Sequence, residues 1–551
     1  MVIGVSPASQ GFTTPQKQSF KSALLPAPNR GIDTRAAIGA MSPENCIYAY
    51  NLVPEEYGMK VRSGFGEHQI SLESVSGLGV KTIIPINGIT SDKLFAVTNE
   101  GIWDVTVAGG TPTLDYTFTT DTTADAGHGV SLHYITTAGN ELVFYADSKN
   151  GLHTYDVGTD TWIQTINITG LNEVDIAFIT VHKQRIWLIE ENATSAWYLG
   201  VGAVSGAATQ FFFGGKFPHG GTLKALINWS VDGGAGVDDL LVAVSSTGDV
   251  IVYKGADPST LETATATGWA VVGTYFIGKI PEGRRFFSEH SGELYLLSSF
   301  GLISMSDLLR GVDIRKGSLK SLTYPIASLL RSDLADTGTS LGWEPVFLPS
   351  IGSLVISSPQ AASDIYLQYV MSLSVEGWGF WRGVPTEAII EYNNTVYFGT
   401  SDNRIMSMNV NKDYVLLDTN DDDYLGQSVD FSLLTAYNDA GSPGMFKIGQ
   451  YIRPDFLNVA NLTYQTRMFY DYSTTEIIFP TGNATVEAGS VWDTAEWDVD
   501  IWGSGGSFSS EHDLQGTCNM GRTVAIALRG SAGDEARLVS FDVGWTEGGF
   551  A

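Results

Sequence analysis

At 551 residues the chain exceeds an ordinary domain severalfold, so several domains or one large repetitive domain are expected. Hydrophobic residues make up 43% and charged residues 17%, which excludes a disordered or collagen-like chain. Against 31 Lys and Arg stand 60 Asp and Glu, a formal charge of -29 that opposes gripping nucleic acid phosphates over a broad surface. Two cysteines, Cys46 and Cys518, are too few for a disulfide framework or a four-thiolate metal site. The opening residues lack a basic start followed by an apolar run, and no stretch approaches about 18 apolar residues. Neither a signal peptide nor integral membrane association is expected.

Residues 1–40 carry Lys17, Lys21, Arg30 and Arg35 against Asp33, with Pro and Gly and no amphipathic period. They read as an extended N-terminal arm, either free or ordered against a neighbouring subunit. Residues 41–77 read as N-terminal strands packing on the C-terminal domain or on the region that follows.

From residue 78 a unit of two short apolar strands around a Gly- or Asn-bearing turn recurs. It appears as KLFAVTNEGIWDVTV at 93–107, ELVFYADSKNGLHTYDV at 141–157 and QRIWLIEENATSAWYLG at 184–200, and again near 240, 293, 354 and 395. Alternating β-branched and aromatic residues around a tight turn indicate β-hairpins. Gly101 and Asn403 lie 302 residues apart across six steps, a mean period of about 50 residues, within the range of propeller blades. Residues 78–410 are therefore expected to form a β-propeller of about seven blades, within a range of six to eight. Each hairpin would gain two outer strands; in the second unit these are VSLHYITT before it and TWIQTI after it. TYDVGTDTW at 154–162 has a kelch-like Tyr-Asp and Trp, which ordinary strand-turn-strand chemistry also explains. Helix is expected to be nearly absent.

Residues 411–551 hold 7 basic and 21 acidic residues, about half of the net charge in about a quarter of the length. Alternating strands without the 50-residue period fit a separate acidic β-sandwich-like domain. The fold class is thus all-β: a propeller with an additional sandwich-like domain and an extended arm.

The sequence has no phosphate loop, nucleophile elbow or zinc helix of standard form. Gly200, Gly202 and Gly206 have the wrong spacing for a dinucleotide loop and read as a loop between blades. Asp418, Asn420 and Asp422 alternate as in a calcium loop, but Asp423 replaces the turn Gly and Val429 the bidentate Glu. This run reads as a solvated acidic loop, and no metal, cofactor or catalytic residue is assigned. Trp492, Trp497 and Trp502 read as structural anchors before a sugar platform.

LPAPNRGIDTRAAIGAMSPENCIYAYNLVPEEYGMKVRSGFGEH contains Pro28, Gly31 and Ile32, the step Met41 to Glu44, Asn51 with Pro54, and Val61, Arg62, Gly64 and Phe65. Glycines 58 and 64 permit turns at either end of a short strand, and Arg62 offers a fork to a carboxylate across it. With GSPGMFKIGQYIRPDF at 441–456, FYDYS at 469–473, the repeated Trp-Asp after 490 and a last strand VSFDVGWTEGGF, this order of elements resembles the tail nozzle, or hub, proteins of short-tailed bacteriophages.

The resemblance implies a virion structural protein of the tail and no enzyme. It implies a homohexamer below the head-to-tail adaptor protein, bearing tail fibres or spikes, around a channel that passes double-stranded DNA without sequence recognition. An acidic bore would avoid sticking to the phosphates, and Asp418, Asp421, Asp422 and Asp423 are the candidate channel-lining residues. Two other readings stand beside it: a propeller glycosidase or polysaccharide lyase acting on bacterial surface glycans, and a propeller interaction module without a channel.

Overall fold

The structure is a computed structural model, and it describes residues 20–69, 72, 78–89, 91–164, 166–232, 237–260, 269–311, 321–359, 366–414, 426–457, 462–473, 484–486 and 520–550. Its strands form a seven-bladed propeller joined to a two-sheet sandwich.

Each expected hairpin is the second and third strand of one blade. Blade 1 is Val80–Asn87, Asp92–Thr98, Gly101–Asp104 and Thr113–Thr117; blade 2 is Gly129–Ile135, Glu141–Asp147, Gly151–Asp156 and Thr161–Ile163. The two outer strands expected in the second unit are therefore present. Blade 3 has Ile176–His182, Arg185–Glu190, Ser195–Tyr198 and Thr209–Phe212; blade 4 has Leu223–Asp232, Val237–Ser245, Asp249–Lys254 and Ala270–Phe276. Blade 5 shows three strands, Phe287–His290, Glu293–Ser298 and Gly301–Ser304. Beside the third of these, the Thr323 hydroxyl accepts from the Leu302 N–H and the Ser321 hydroxyl donates to the Leu302 carbonyl. Blade 6 is Glu344–Leu348, Ser353–Ser357, Leu367–Ser372 and Trp378–Arg382.

Blade 7 takes Thr386–Tyr392, Thr395–Thr400 and Ile405–Val410 from the end of the repeat, and its outermost strand is Gly64–Gln69. The ring is thus closed by a strand from before residue 78. Blade strands are apolar on both faces because each blade is covered by a neighbour on either side. Leu94 to Thr98 are buried without interruption, Phe95 meeting Trp162 of blade 2 edge-on at 5.3 Å. In the kelch-like turn the Tyr155 hydroxyl donates to Asp160 at 2.5 Å and its ring packs on Trp162, so local turn chemistry accounts for that pattern. Gly200, Gly202 and Gly206 fall inside blade 3, before its last strand, and not between blades, since the third and fourth strands of that blade flank them. An eleven-residue helix, Ala327–Thr337, sits between blades 5 and 6 and packs through Leu330 and Leu334.

The sandwich draws on both ends of the chain. One sheet continues outward from blade 6: Trp378–Arg382 pairs in parallel with Gly31–Ile32 and Asn45–Tyr50, and Val429–Thr435, Val524–Ala532, Leu462–Tyr470 and Ala484–Val486 follow. The other holds Met520–Gly521, Met445–Leu457, Arg537–Phe550, Gly58–Val61 and Leu52–Glu55. Phe20–Pro26, in the stretch read as an extended arm, is an edge strand running antiparallel to Thr546 through Ser540 in unbroken register. Apolar residues from both sheets meet in one core, where Phe456 stands 6.3 Å from Phe431 and 5.6 Å from Tyr464. The strands after residue 411 are therefore completed by strands from 20–61, because an edge left open by one end of the chain is covered by the other.

Candidate functional site

The residues singled out near the N-terminus converge on the seam between sandwich and propeller. Gly58–Val61 belongs to the sandwich and Gly64–Gln69 to blade 7, so Arg62 and Ser63 are the crossing. The crossing is tight: a Cβ on Gly64 would lie 2.4 Å from the Lys412 backbone.

Arg62 is buried, and all five of its N–H donors are used. Nε donates to Asn51 Oδ1 at 2.9 Å; Nη1 to Asp413 Oδ1 at 2.7 Å and to the Ser63 carbonyl at 3.0 Å. Nη2 donates to Asp413 Oδ2 at 2.6 Å and to the Arg382 carbonyl at 3.4 Å. The fork expected of Arg62 thus exists, and its carboxylate comes from 351 residues away, where no local pattern could reveal it. Paired, bidentate geometry is what lets a buried guanidinium persist.

Asn51 is the second hub. At φ 58 it holds the left-handed conformation that Asn tolerates better than most residues. Its Nδ2 donates to the Arg382 and Asp430 carbonyls at 3.0 and 2.7 Å, and Oδ1 accepts from the Arg382 N–H at 2.7 Å. One amide thereby joins the last strand of blade 6, a sandwich strand and Arg62. The Asn-x-x-Pro element was visible in the sequence; its role as a three-way tie was not.

Beside this seam lies a polar cavity of about 710 Å³ whose lining includes Asn51, Arg382, Asp413, Asp430, Gln465 and Arg529. Asp413 and Gln427 exchange backbone hydrogen bonds at 2.7 and 2.8 Å, closing the base of the segment between them. Asp418, Asp421, Asp422 and Asp423, the proposed channel-lining residues, lie outside the described residues, as do Trp492, Trp497 and Trp502.

A second cavity, of about 790 Å³, gathers three more of the singled-out elements: Met41 and Pro43, Pro443 and Phe446, and Asp471 and Tyr472. Asp471 and Tyr472 have φ of 50 and 62 in a turn closed by the Ser473 N–H to the Tyr470 carbonyl, which sets Tyr472 against Tyr437 at 5.1 Å. Nearby Lys447 is buried, its Nζ donating to the Ser442, Met445 and Arg522 carbonyls at 2.7, 3.2 and 2.6 Å. Burial pushes its pKa down.

Burial raises the Cys46 thiol far above its ordinary value, so this thiol is a packed core group and not a nucleophile. Among the described residues no three His, Cys, Asp or Glu side chains are grouped as a metal site requires.

No family model and no curated protein matches the chain. Solved structures similar in part include the extracellular domain of a putative hybrid two-component system from B. thetaiotaomicron, at 12% identity and a TM-score of 0.41 over 81% of this chain and 57% of that one. The WD40 β-propeller domain of Doa1 is similar at 11% identity and a TM-score of 0.34, over 62% of this chain and 96% of that one.

Proposed function

We propose that the protein is a virion structural protein, the tail nozzle or hub subunit of a short-tailed phage, forming a homohexameric ring below the head-to-tail adaptor. The observation that carries this reading is the placement of the residues behind the family resemblance. Gly31, Asn51, Arg62 and Gly64 are fixed in backbone pairing and saturated hydrogen bonds at the seam, work suited to a body that must hold its shape under load. In this reading the ring is closed by heterologous contacts between copies, and the formal charge of -29 keeps DNA from adhering to the conduit. At about 0.15 M salt the Debye length is about 8 Å, so only acidic side chains lining a narrow bore act on the DNA. The reading implies no reaction and no cofactor.

The test is electron cryomicroscopy of the full chain purified alone and with the adaptor. A sixfold ring with a continuous bore is the expected result. A protein that stays monomeric with the adaptor present and releases sugars from bacterial surface glycan would overturn the reading in favour of the glycosidase.

A further inference from the structure

Where the innermost strands of the blades begin, charged side chains from across the ring meet at the propeller axis. Lys81, second residue of Val80–Asn87, places its Nζ 3.3 Å from Glu387, second residue of Thr386–Tyr392, joining blades 1 and 7. Arg285 stands two residues before Phe287–His290 in blade 5 and reaches much farther. Its Nη2 donates to the Lys81 carbonyl at 3.0 Å and lies 3.5 Å from His128 Nδ1, one residue before the first strand of blade 2. Its Nη1 lies 3.2 Å from Glu344, first residue of blade 6. In the seven-bladed order, blades 1 and 2 lie on the far side of the ring from blade 5, so one guanidinium spans the axis.

We propose that Arg285 is a latch across the propeller axis, coupling opposite blades at neutral pH and let go by acid through Glu344. The latch stands independently of the nozzle reading. A guanidinium suits the task because its fixed fork serves three partners in different directions. Arg285 and Glu344 are both largely buried, so their attraction is weakly screened.

Titration of the surrounding groups weakens the latch in acid. Burial raises the Glu344 pKa, with Arg285 opposing the shift. His128 is held neutral chiefly by burial, then by the fields of Arg285 and Lys81, which leaves Nδ1 free to accept. The remaining charged or titratable neighbours are engaged elsewhere: Lys81 by Glu387, and Asp147 by the backbone N–H groups of Gly127 and Lys149 and the Asn150 amide. Tyr145, also in the field of Arg285, keeps its proton because it is fully buried. As pH falls, the raised pKa of Glu344 lets it gain a proton earlier than an ordinary Glu, and Arg285 loses its counter-charge. Acid that also charges His128 places a second cation beside the guanidinium and drives them apart.

Hydrogen exchange with mass spectrometry on the full chain at pH 7 tests the latch, with Glu344→Gln mimicking the protonated state at constant pH. Arg285→Met should speed exchange about tenfold in Val80–Asn87 and Gly129–Ile135 as well as in Phe287–His290 and Glu344–Leu348, leaving Arg537–Phe550 unchanged. Glu344→Gln should show the same four-strand pattern more weakly, and wild type moved to acid pH, corrected for intrinsic exchange, should shift toward it. Arg285→Lys, which keeps the charge without the fork, gives the readout if the Met variant does not fold. Faster exchange confined to blades 5 and 6, or a Glu344→Gln profile identical to wild type, overturns the proposal.

Discussion

The propeller and the sandwich use the same strand chemistry but are assembled along the chain in opposite ways. Within blades 1 to 6 each blade strand pairs with the blade strand before or after it in chain order, and in the central hairpins, as at Thr98 to Gly101, a short turn helps fix the register. In the sandwich Phe20 pairs with Thr546 and Met59 with Leu538, so no turn can set the register. Its register follows from long-range ladders and the shared apolar core, and its junction with blade 7 is held by the Arg62 fork on Asp413, the Asn51 amide and the crossing at Gly64. A repeat can lose one turn and keep its neighbours as templates, whereas a seam without its pin keeps only the backbone pairing of Gly31 and Tyr50 with blade 6.

The strongest way to break this comparison is Arg62→Ala. It leaves Asp413 largely buried without its counter-charge and removes five hydrogen bonds at the crossing, so a loss of about 3 kcal/mol is expected. Urea unfolding followed separately by tryptophan fluorescence and by far-ultraviolet dichroism should then show two transitions in place of one. Asp413→Asn keeps one acceptor oxygen and should cost less. A single transition with unchanged midpoint would show that the seam does not hold the two parts together.

The same difference explains what could be read from the sequence. The hairpins were legible because alternation and turn residues act within about fifteen residues, as at Asn403, with φ 63 in the turn between Thr395–Thr400 and Ile405–Val410. The closing strand Gly64–Gln69 was not, since GFGEHQ has no strong alternation and is made a strand by the edge of Ile405–Val410. In blade 5 the hydroxyls of Ser321 and Thr323 bond the backbone of Leu302, a side-chain contact that hydrophobic periodicity does not record. Arg62 was legible as a fork, but Asp413 as its partner was not.

Inside the propeller, pH gives the next largest effect. His153 is buried between Tyr116 and Phe118, its Nδ1 has no partner, and burial lowers its pKa to about 4. The unfolded chain takes up this proton below about pH 6.5 and the folded one only near pH 4. Its contribution is therefore complete above about pH 6.5, falls as the pH drops toward 4 and is flat below, a change of up to about 3 kcal/mol. His68 and His182 are lowered in the same direction and add to the slope. His153→Phe keeps the ring packing and should be more stable than wild type at about pH 5 by urea midpoint; a variant equally pH-sensitive would show that His153 is not held neutral.

Glycine substitutions compare the regions at fixed chemistry. Gly58 has φ of +142, and a Cβ there would lie 2.1 Å from the Leu538 carbonyl, whereas Gly139, at φ +85 in a blade 2 turn, would meet nothing within 4 Å. Gly139→Ala should cost about 1 kcal/mol from backbone strain alone. Gly58→Ala adds a backbone clash across the sandwich and should cost about 2–3 kcal/mol, read as a lower thermal midpoint. Equal losses would mean that the sandwich edge yields as easily as a blade turn.

The smallest effect separates charge from burial at the seam. Arg30 and Glu44 form an ion pair of 2.7 Å within the same stretch of sequence as Arg62, but both side chains are largely exposed, at 68% and 48%. Water already solvates each partner, and holding two long side chains together costs entropy, so Arg30→Ala should change stability by no more than about 0.5 kcal/mol. Raising the salt to about 1 M should shrink even that, because the Debye length falls to about 3 Å. Arg62→Ala should keep most of its cost in the same salt, since the Arg62 side chain is 1% exposed and that of Asp413 17%. If both variants respond to salt alike, the Arg62 site is wetter than its five saturated donors imply, and the seam is held by backbone pairing instead of by the fork.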